Sequence, residues 1–175
     1  MTALATFEQA MDIVFGEEAG FSSNPRDPGN WTGGRIGAGQ LRGTNYGISA
    51  KSYPDIDIRG LTRVAAHGIY FRDYWQKFNC DKLPPALALL VFDCGVNGGH
   101  PTAWLQAAVG AQPDGVFGPH TMAAVQAHYG TGADVCARFM QARWLYLTSL
   151  QNWPDSKGGW SARLCALPYH AMSMK

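Results

Sequence analysis

The chain has 175 residues, the size of one ordinary domain or of a compact catalytic unit with a small appended module. Apolar residues make up 46% of it and charged residues 15%, a balance that excludes a disordered or polyelectrolyte chain. Fourteen Lys and Arg against thirteen Asp and Glu leave a formal charge of +1, so no global field draws it to nucleic acid or to an anionic membrane.

Thr6 is placed to cap a first helix, whose apolar positions Phe7, Met11, Val14 and Phe15 recur at helical spacing and give one buried stripe. Continuing that stripe leads to Glu18. From Phe21 to Pro54 the helical period disappears, and glycine, proline and polar turn residues predict loops with a short hairpin. Long loops of this kind in compact domains are often functional. A second helix is expected from about Thr62, its candidate cap, to Phe78, with Val64, Gly68, Phe71 and Trp75 sharing its buried face. Ala86 to Val96 is apolar almost all round and follows Pro84-Pro85, which predicts a helix enclosed by others at the centre of the core. After Asn97-Gly98-Gly99 the pattern gives a short helix from Pro101 to Val109 and a turn from Gln112 to Gly118. A helix opens at Pro119, and a longer one runs from about Ala133 to Leu150. Gly130-Thr131-Gly132 and Asp155 to Gly159 read as loops. Few segments look like strands and there is no internal repeat, so the fold class is mainly α.

Cys80, Cys94, Cys136 and Cys165 form no CxxC pair and no zinc-like spacing, which points away from metal and dithiol chemistry. Mostly buried free thiols are expected, although an even count also permits disulfides. The N-terminal residues lack a basic start, an uninterrupted apolar core and a cleavage site, and no run approaches the length of a membrane span. Synthesis in the cytoplasm without an export signal, and no stable membrane insertion, are the expectation.

Glutamate occurs only at Glu8, Glu17 and Glu18, the other ten acids being Asp, so chemistry that needs a glutamate must use the first helix. Glycoside hydrolysis needs a protonated carboxylic acid beside the leaving oxygen, and a partly apolar site raises a glutamate to that task. Glu18, four residues after Val14, is the candidate; the ordinary alternative is a solvated Glu17-Glu18 helix end. Asp27, in the loop Asn24-Pro25-Arg26-Asp27-Pro28-Gly29, is either a second site carboxylate or a turn-forming residue. Thr44-Asn45-Tyr46-Gly47-Ile48 offers a hydroxyl, an amide and an aromatic ring suited to sugar recognition, or to any turn.

These residues carry a family resemblance. Glu18-Ala19-Gly20-Phe21, Asn24-Pro25, Asp27-Pro28-Gly29 and Thr44-Asn45-Tyr46-Gly47-Ile48 resemble the E-G-G-Y, N-D-P, D-P-G-G and T-N-x-G-I elements of glycoside hydrolase family 108, which comprises phage endolysins and related bacterial muramidases. The resemblance continues through Tyr70-Phe71-Arg72-Asp73-Tyr74-Trp75 and Phe92-Asp93-Cys94-Gly95-Val96-Asn97-Gly98. It selects Glu18 as the catalytic acid. The order Glu, eight residues, Asp, then Thr also resembles the triad of T4-type phage lysozymes, which implies that Asp27 and Thr44 position the attacking water. Asn30 to Arg42 stands as an insertion in the pattern and carries a competing threonine, Thr32. Asn24, Tyr46, Tyr74, Trp75 and Asn97 are candidates for substrate binding, with core packing the alternative for Trp75.

From Leu105-Gln106 to Asp114-Gly115-Val116-Phe117-Gly118-Pro119-His120-Thr121 the chain resembles peptidoglycan-binding modules with L-Q and D-G-x-x-G-x-x-T motifs. The turn these residues build exists whether or not glycan binds, so the motif speaks for fold first. Together the resemblances imply a lysozyme-like helical bundle with a glycine-rich loop and short hairpin after the first helix. They place a catalytic region at residues 1–92 and a helical peptidoglycan-binding-like region at 93–175. The implied activity is a muramidase acting on peptidoglycan strands as a monomer, with no metal or organic cofactor, in a phage or prophage endolysin that reaches the wall after release from the cytoplasm. A non-catalytic wall-binding protein and a lytic transglycosylase are the alternatives.

Overall fold

The helical periodicity is realised as seven α-helices among the described residues, with one two-stranded hairpin and short 3-10 and π segments between them. The computed structural model describes residues 3–16, 20–130 and 132–174. Its contacts divide into two compact units, Met11–Phe71 and Met1–Ala10 with Arg72–Lys175.

Helix α1 (Ala3–Phe15) buries Phe7, Met11 and Val14, the stripe its spacing predicts. Thr6 does not cap it. The helix is already formed at Ala3-Leu4-Ala5, strong helix formers, and Thr6 lies buried inside it. The helix stops at Phe15, where Gly16 takes φ +58° and donates its N–H to the Asp12 carbonyl at 2.9 Å, a left-handed glycine stop. Glu17, Glu18 and Ala19 lie outside the described residues, and with them the expected continuation of the stripe.

Within Met11–Phe71, strands β1 (Thr44–Asn45) and β2 (Ile48–Ser49) pair antiparallel, Thr44 opposite Ser49 and Asn45 opposite Ile48. Their turn residues Tyr46 and Gly47 have φ +48° and +73°, the left-handed pair that matches the twist of a tight hairpin. Gly47 is required there, since a Cβ would lie 2.5 Å from the Tyr70 hydroxyl. That hydroxyl donates to the Tyr46 carbonyl at 3.1 Å and holds the left-handed tyrosine in place.

Helix α2 (Arg63–Tyr70) begins at its expected cap, the Thr62 hydroxyl accepting from the Ala65 N–H at 3.2 Å. Its buried face is not the expected one. Val64 is 83% exposed, and Ala66, Ile69 and Tyr70 are buried instead. Past Tyr70 the backbone widens into a π turn, Phe71–Gln76, and Trp75 is fully buried five residues after Tyr70. Counting back from Trp75 at 3.6 residues per turn therefore lands on the wrong side of the helix.

In the second unit, α3 (Pro85–Asn97) is the enclosed helix its composition predicts, with every residue from Leu87 to Cys94 at 0% exposure. The 92/93 position falls inside it. Phe7, Trp75 and Phe92 pack edge to face with centroids 5.4 to 5.9 Å apart. Around α3 pack α4 (Pro101–Ala108), α6 (Ala133–Ser149) and α7 (Trp153–Ser173), while α5 (Pro119–His128) follows the turn after α4.

Asp155 to Gly159, expected as a loop, instead forms the first turns of α7, which carries Gly158, Gly159 and Pro168 within it. Those residues have low helix propensity, and tertiary contacts override it. Leu164, Leu167 and Ala171 are buried, and the Arg163 Nε donates to Asp93 Oδ1 at 2.7 Å. Asp93 is also paired with Arg143 of α6, Oδ2 to Nη1 at 2.5 Å, with both side chains at most 2% exposed. One buried carboxylate thus joins α3, α6 and α7.

The turn between α4 and α5 is organised by Gln106, itself 2% exposed. Its amide donates to Asp114 Oδ1 at 2.7 Å and to the Thr121 hydroxyl at 3.0 Å, and its Oε1 accepts from the Gly115 N–H at 2.9 Å. The conspicuous polar residues of the L-Q and D-G motifs therefore satisfy one another and hold the fold.

Candidate active site

Asp27 and Thr44 are drawn together because the chain between them leaves and returns at one residue. Asp27 caps the 3-10 turn Pro28–Asn30, its Oδ1 accepting from the Gly29 N–H at 2.8 Å, and the proline in the first turn gives up no needed donor. The Asn30 carbonyl then accepts the N–H of both Arg42 and Gly43, at 2.9 and 3.0 Å. The residues in between form an excursion with its own bonds. Trp31 bridges Leu41, and Thr32 exchanges two bonds with Gln40: its N–H to the carbonyl at 3.0 Å and its hydroxyl from the N–H at 2.9 Å. The Thr32 hydroxyl is committed to closing the excursion. Thr44 is the threonine delivered beside the D-P-G turn.

Asn30 joins the parts. Its side chain is fully buried, Nδ2 donating to the Asn24 carbonyl at 3.0 Å and Oδ1 accepting from the Thr44 hydroxyl at 2.7 Å. The carbonyl partner dictates which way the amide points, so the Thr44 hydroxyl must be the donor. Thr44 also exchanges two backbone bonds of 2.8 Å with Ser22. Gly43 (φ +88°) permits this approach, because a Cβ there would stand 2.5 Å from the Ser22 carbonyl.

Asn24, Asp27, Asn30 and Thr44 thus form one hydrogen-bonded cluster, with the Asp27 side chain exposed. Asn30 was not singled out in the sequence. It follows D-P-G as one polar loop residue among many, and only its burial and two-sided bonding distinguish it.

The remaining candidates fall out as follows. The Asn24 side chain accepts from the Arg26 N–H at 3.0 Å and shapes its own turn. Tyr46 is half-buried at the hairpin tip. Asn45, its buried neighbour, donates to the carbonyls of Ile58 and Leu61 at 3.1 and 3.3 Å and anchors the hairpin. In the other unit, Tyr74 is half-buried in the π turn. Trp75 is corrected from a sugar-stacking candidate to a core residue, since it is 0% exposed and packed against Phe7 and Phe92. Asn97 is exposed at the end of α3, where its amide donates to the Asp93 carbonyl at 3.0 Å. Glu18 lies outside the described residues.

The sequence pattern described as Glycosyl hydrolase 108 matches residues 11–99, just over half of the 175. The chain belongs to glycoside hydrolase family 108. The match spans both the Asp27–Thr44 cluster and the Phe92-to-Gly98 element. Among solved structures, Brucella abortus SagA is similar at a TM-score of 0.78 and 28% identity, over 98% of this chain and 96% of that one. No curated protein matches the chain. Membership of family 108 makes the protein a glycoside hydrolase of mainly helical, lysozyme-like fold and supports peptidoglycan as its substrate class.

Proposed function

We propose that the protein is a muramidase, hydrolysing the β-1,4 bond between N-acetylmuramic acid and N-acetylglucosamine. Glu18 protonates the leaving glycosidic oxygen, a water oxygen joins the anomeric carbon, and Asp27 receives the proton that water gives up. The observation that carries this reading is the direction of the Thr44–Asn30 bond. Because the Thr44 hydroxyl donates to Asn30, only its lone pairs are left to face outward. An ionised Asp27 is likewise an acceptor. A water donating one hydrogen to each turns its own lone pair outward, the orientation a nucleophile needs.

Asn24, Tyr46, Tyr74 and Asn97 are proposed to contact the glycan. The proposed setting is a phage or prophage endolysin acting on the wall as a monomer. Among the described residues no helix is long and apolar enough to cross a membrane.

The test is turbidity loss of purified cell walls, with mass spectrometry of the products. The wild type is expected to release reducing muramic ends, and Glu18→Gln to lose about a thousandfold or more of that rate. Near-wild-type clearing by Glu18→Gln overturns the acid assignment, anhydro-muramic ends make the enzyme a transglycosylase, and wall binding without cleavage makes it a binding protein.

A further inference from the structure

A cleft of about 630 Å³ opens within Met11–Phe71, lined by Phe21, Leu41, Arg42, Asp55, Asp57 and Arg59 among others. It neighbours the cluster above along the chain: Phe21 and Ser23, both lining it, flank Ser22, which pairs with Thr44. Its lining is more charged than aromatic. Its one aromatic ring among the described residues, Phe21, carries the Arg59 guanidinium 4.6 Å from its centroid, so the face that Arg59 covers is not open to a stacking pyranose. Among the described residues four charges of both signs line it: Arg42, Asp55, Asp57 and Arg59.

Two of the four are spent on the fold. Arg42 donates to Gln40 Oε1 and to the Pro54 carbonyl, both at 2.8 Å, and Asp57 accepts from the Gly60 N–H at 3.2 Å. Arg59 and Asp55 are not. Both are exposed, line the same cleft with opposite charge, and among the described residues make no ion pair or hydrogen bond, with each other or with anything else. Arg59 is nevertheless held in one place by its stacking on Phe21, so its fork of donors is pre-organised at little entropic cost.

We propose that this cleft is a subsite for the short peptide borne by the muramic acid of peptidoglycan. Arg59 takes a free carboxylate of that peptide and Asp55 a free amine. The inference rests on the muramidase reading and goes beyond it, making the enzyme selective for peptide-substituted over bare glycan. A free carboxylate and a free amine on one flexible chain suit two opposite charges that face one space without neutralising each other.

The experiment compares peptide-bearing glycan with the same glycan stripped of peptide by an amidase, measuring KM for each. A disaccharide carrying its peptide and the bare disaccharide are compared in parallel by calorimetry. The wild type is expected to favour the peptide-bearing form by roughly three- to tenfold, the range for exposed charge-assisted contacts. That preference shrinks as salt is raised from 50 to 500 mM (about twofold or more), because the groups are exposed. Arg59→Gln and Asp55→Asn each collapse the ratio toward one, while Arg59→Lys keeps part of it. Equal handling of both glycans by the wild type, or variants that slow both equally, overturns the proposal. If neither glycan is cleaved the muramidase reading fails, and the calorimetric preference for the peptide-bearing disaccharide still decides the cleft.

Discussion

Replacing Asn30 with alanine removes the piece that orients Thr44, and the structure sets the size of the effect. Asn30 is 0% exposed and makes two side-chain hydrogen bonds, of 3.0 and 2.7 Å. At roughly 0.5–1.5 kcal/mol net for each, the loss is about 1–3 kcal/mol. A domain of ordinary stability, about 5–15 kcal/mol, stays folded, with Tm lowered by roughly 2–12 °C for a chain of this size. Activity falls further than stability. Without its acceptor the Thr44 hydroxyl rotates freely and can present a hydrogen where the water needs a lone pair, an orientational error of the kind that costs on the order of a hundredfold. The assay is the initial rate of wall clearing at a temperature well below both melting points, run on Asn30→Ala, Thr44→Val and the double variant. Because the two residues act through one bond, the double variant is expected to be little worse than either single one, a coupling of about 1 kcal/mol or more. Asn30→Ala that melts lower yet clears walls at close to the wild-type rate, or strictly additive losses, refutes the orienting role.

Two further outcomes concern the other unit. Asp93→Asn leaves Arg143 buried at 2% exposure without its counter-charge and is expected to cost about 3–5 kcal/mol by thermal or urea unfolding. Arg163→Met, whose side chain is one-third exposed, costs much less, and equal losses for the two would contradict the buried-charge account. The Asp114 carboxyl is held below its usual value of 3.8, chiefly by the Val116 N–H and then by the Gln106 amide. A depressed folded-state value means that its contribution is fully present above the unfolded pKa and is lost as pH falls through the lowered one. The stability gap between wild type and Asp114→Asn is therefore expected to be constant at neutral pH and to close in acid; a gap that widens in acid would count against it.

Much of the helical framework was legible because its signals are local. The apolar run in α3, the prolines that open α4 and α5 and the Thr62 cap each act through residues a few positions apart. The buried face of α2 was misread for a reason of the same locality. A single wide turn after Tyr70 shifts the register that periodicity assumes.

The candidate site divides in the same way. Glu18, Asp27 and Thr44 could be named from residue types and the order of family motifs, and Asn24-Pro25 through Gly29 could be read as a turn. What tertiary structure alone decided is which residues meet. The excursion of residues 31–41 closes on the Asn30 carbonyl, so Thr44 reaches the turn and Thr32 is used up in the closure. Asn30 becomes the hinge of the cluster, Trp75 goes to the core, and a glycine- and proline-bearing segment becomes helix α7 because Asp93 and the apolar face around it hold it there. Propensity and spacing act over one or two turns of chain. The hydrogen bonds and buried charges that chose among these alternatives span 8 to 70 residues and exist only once the chain has folded.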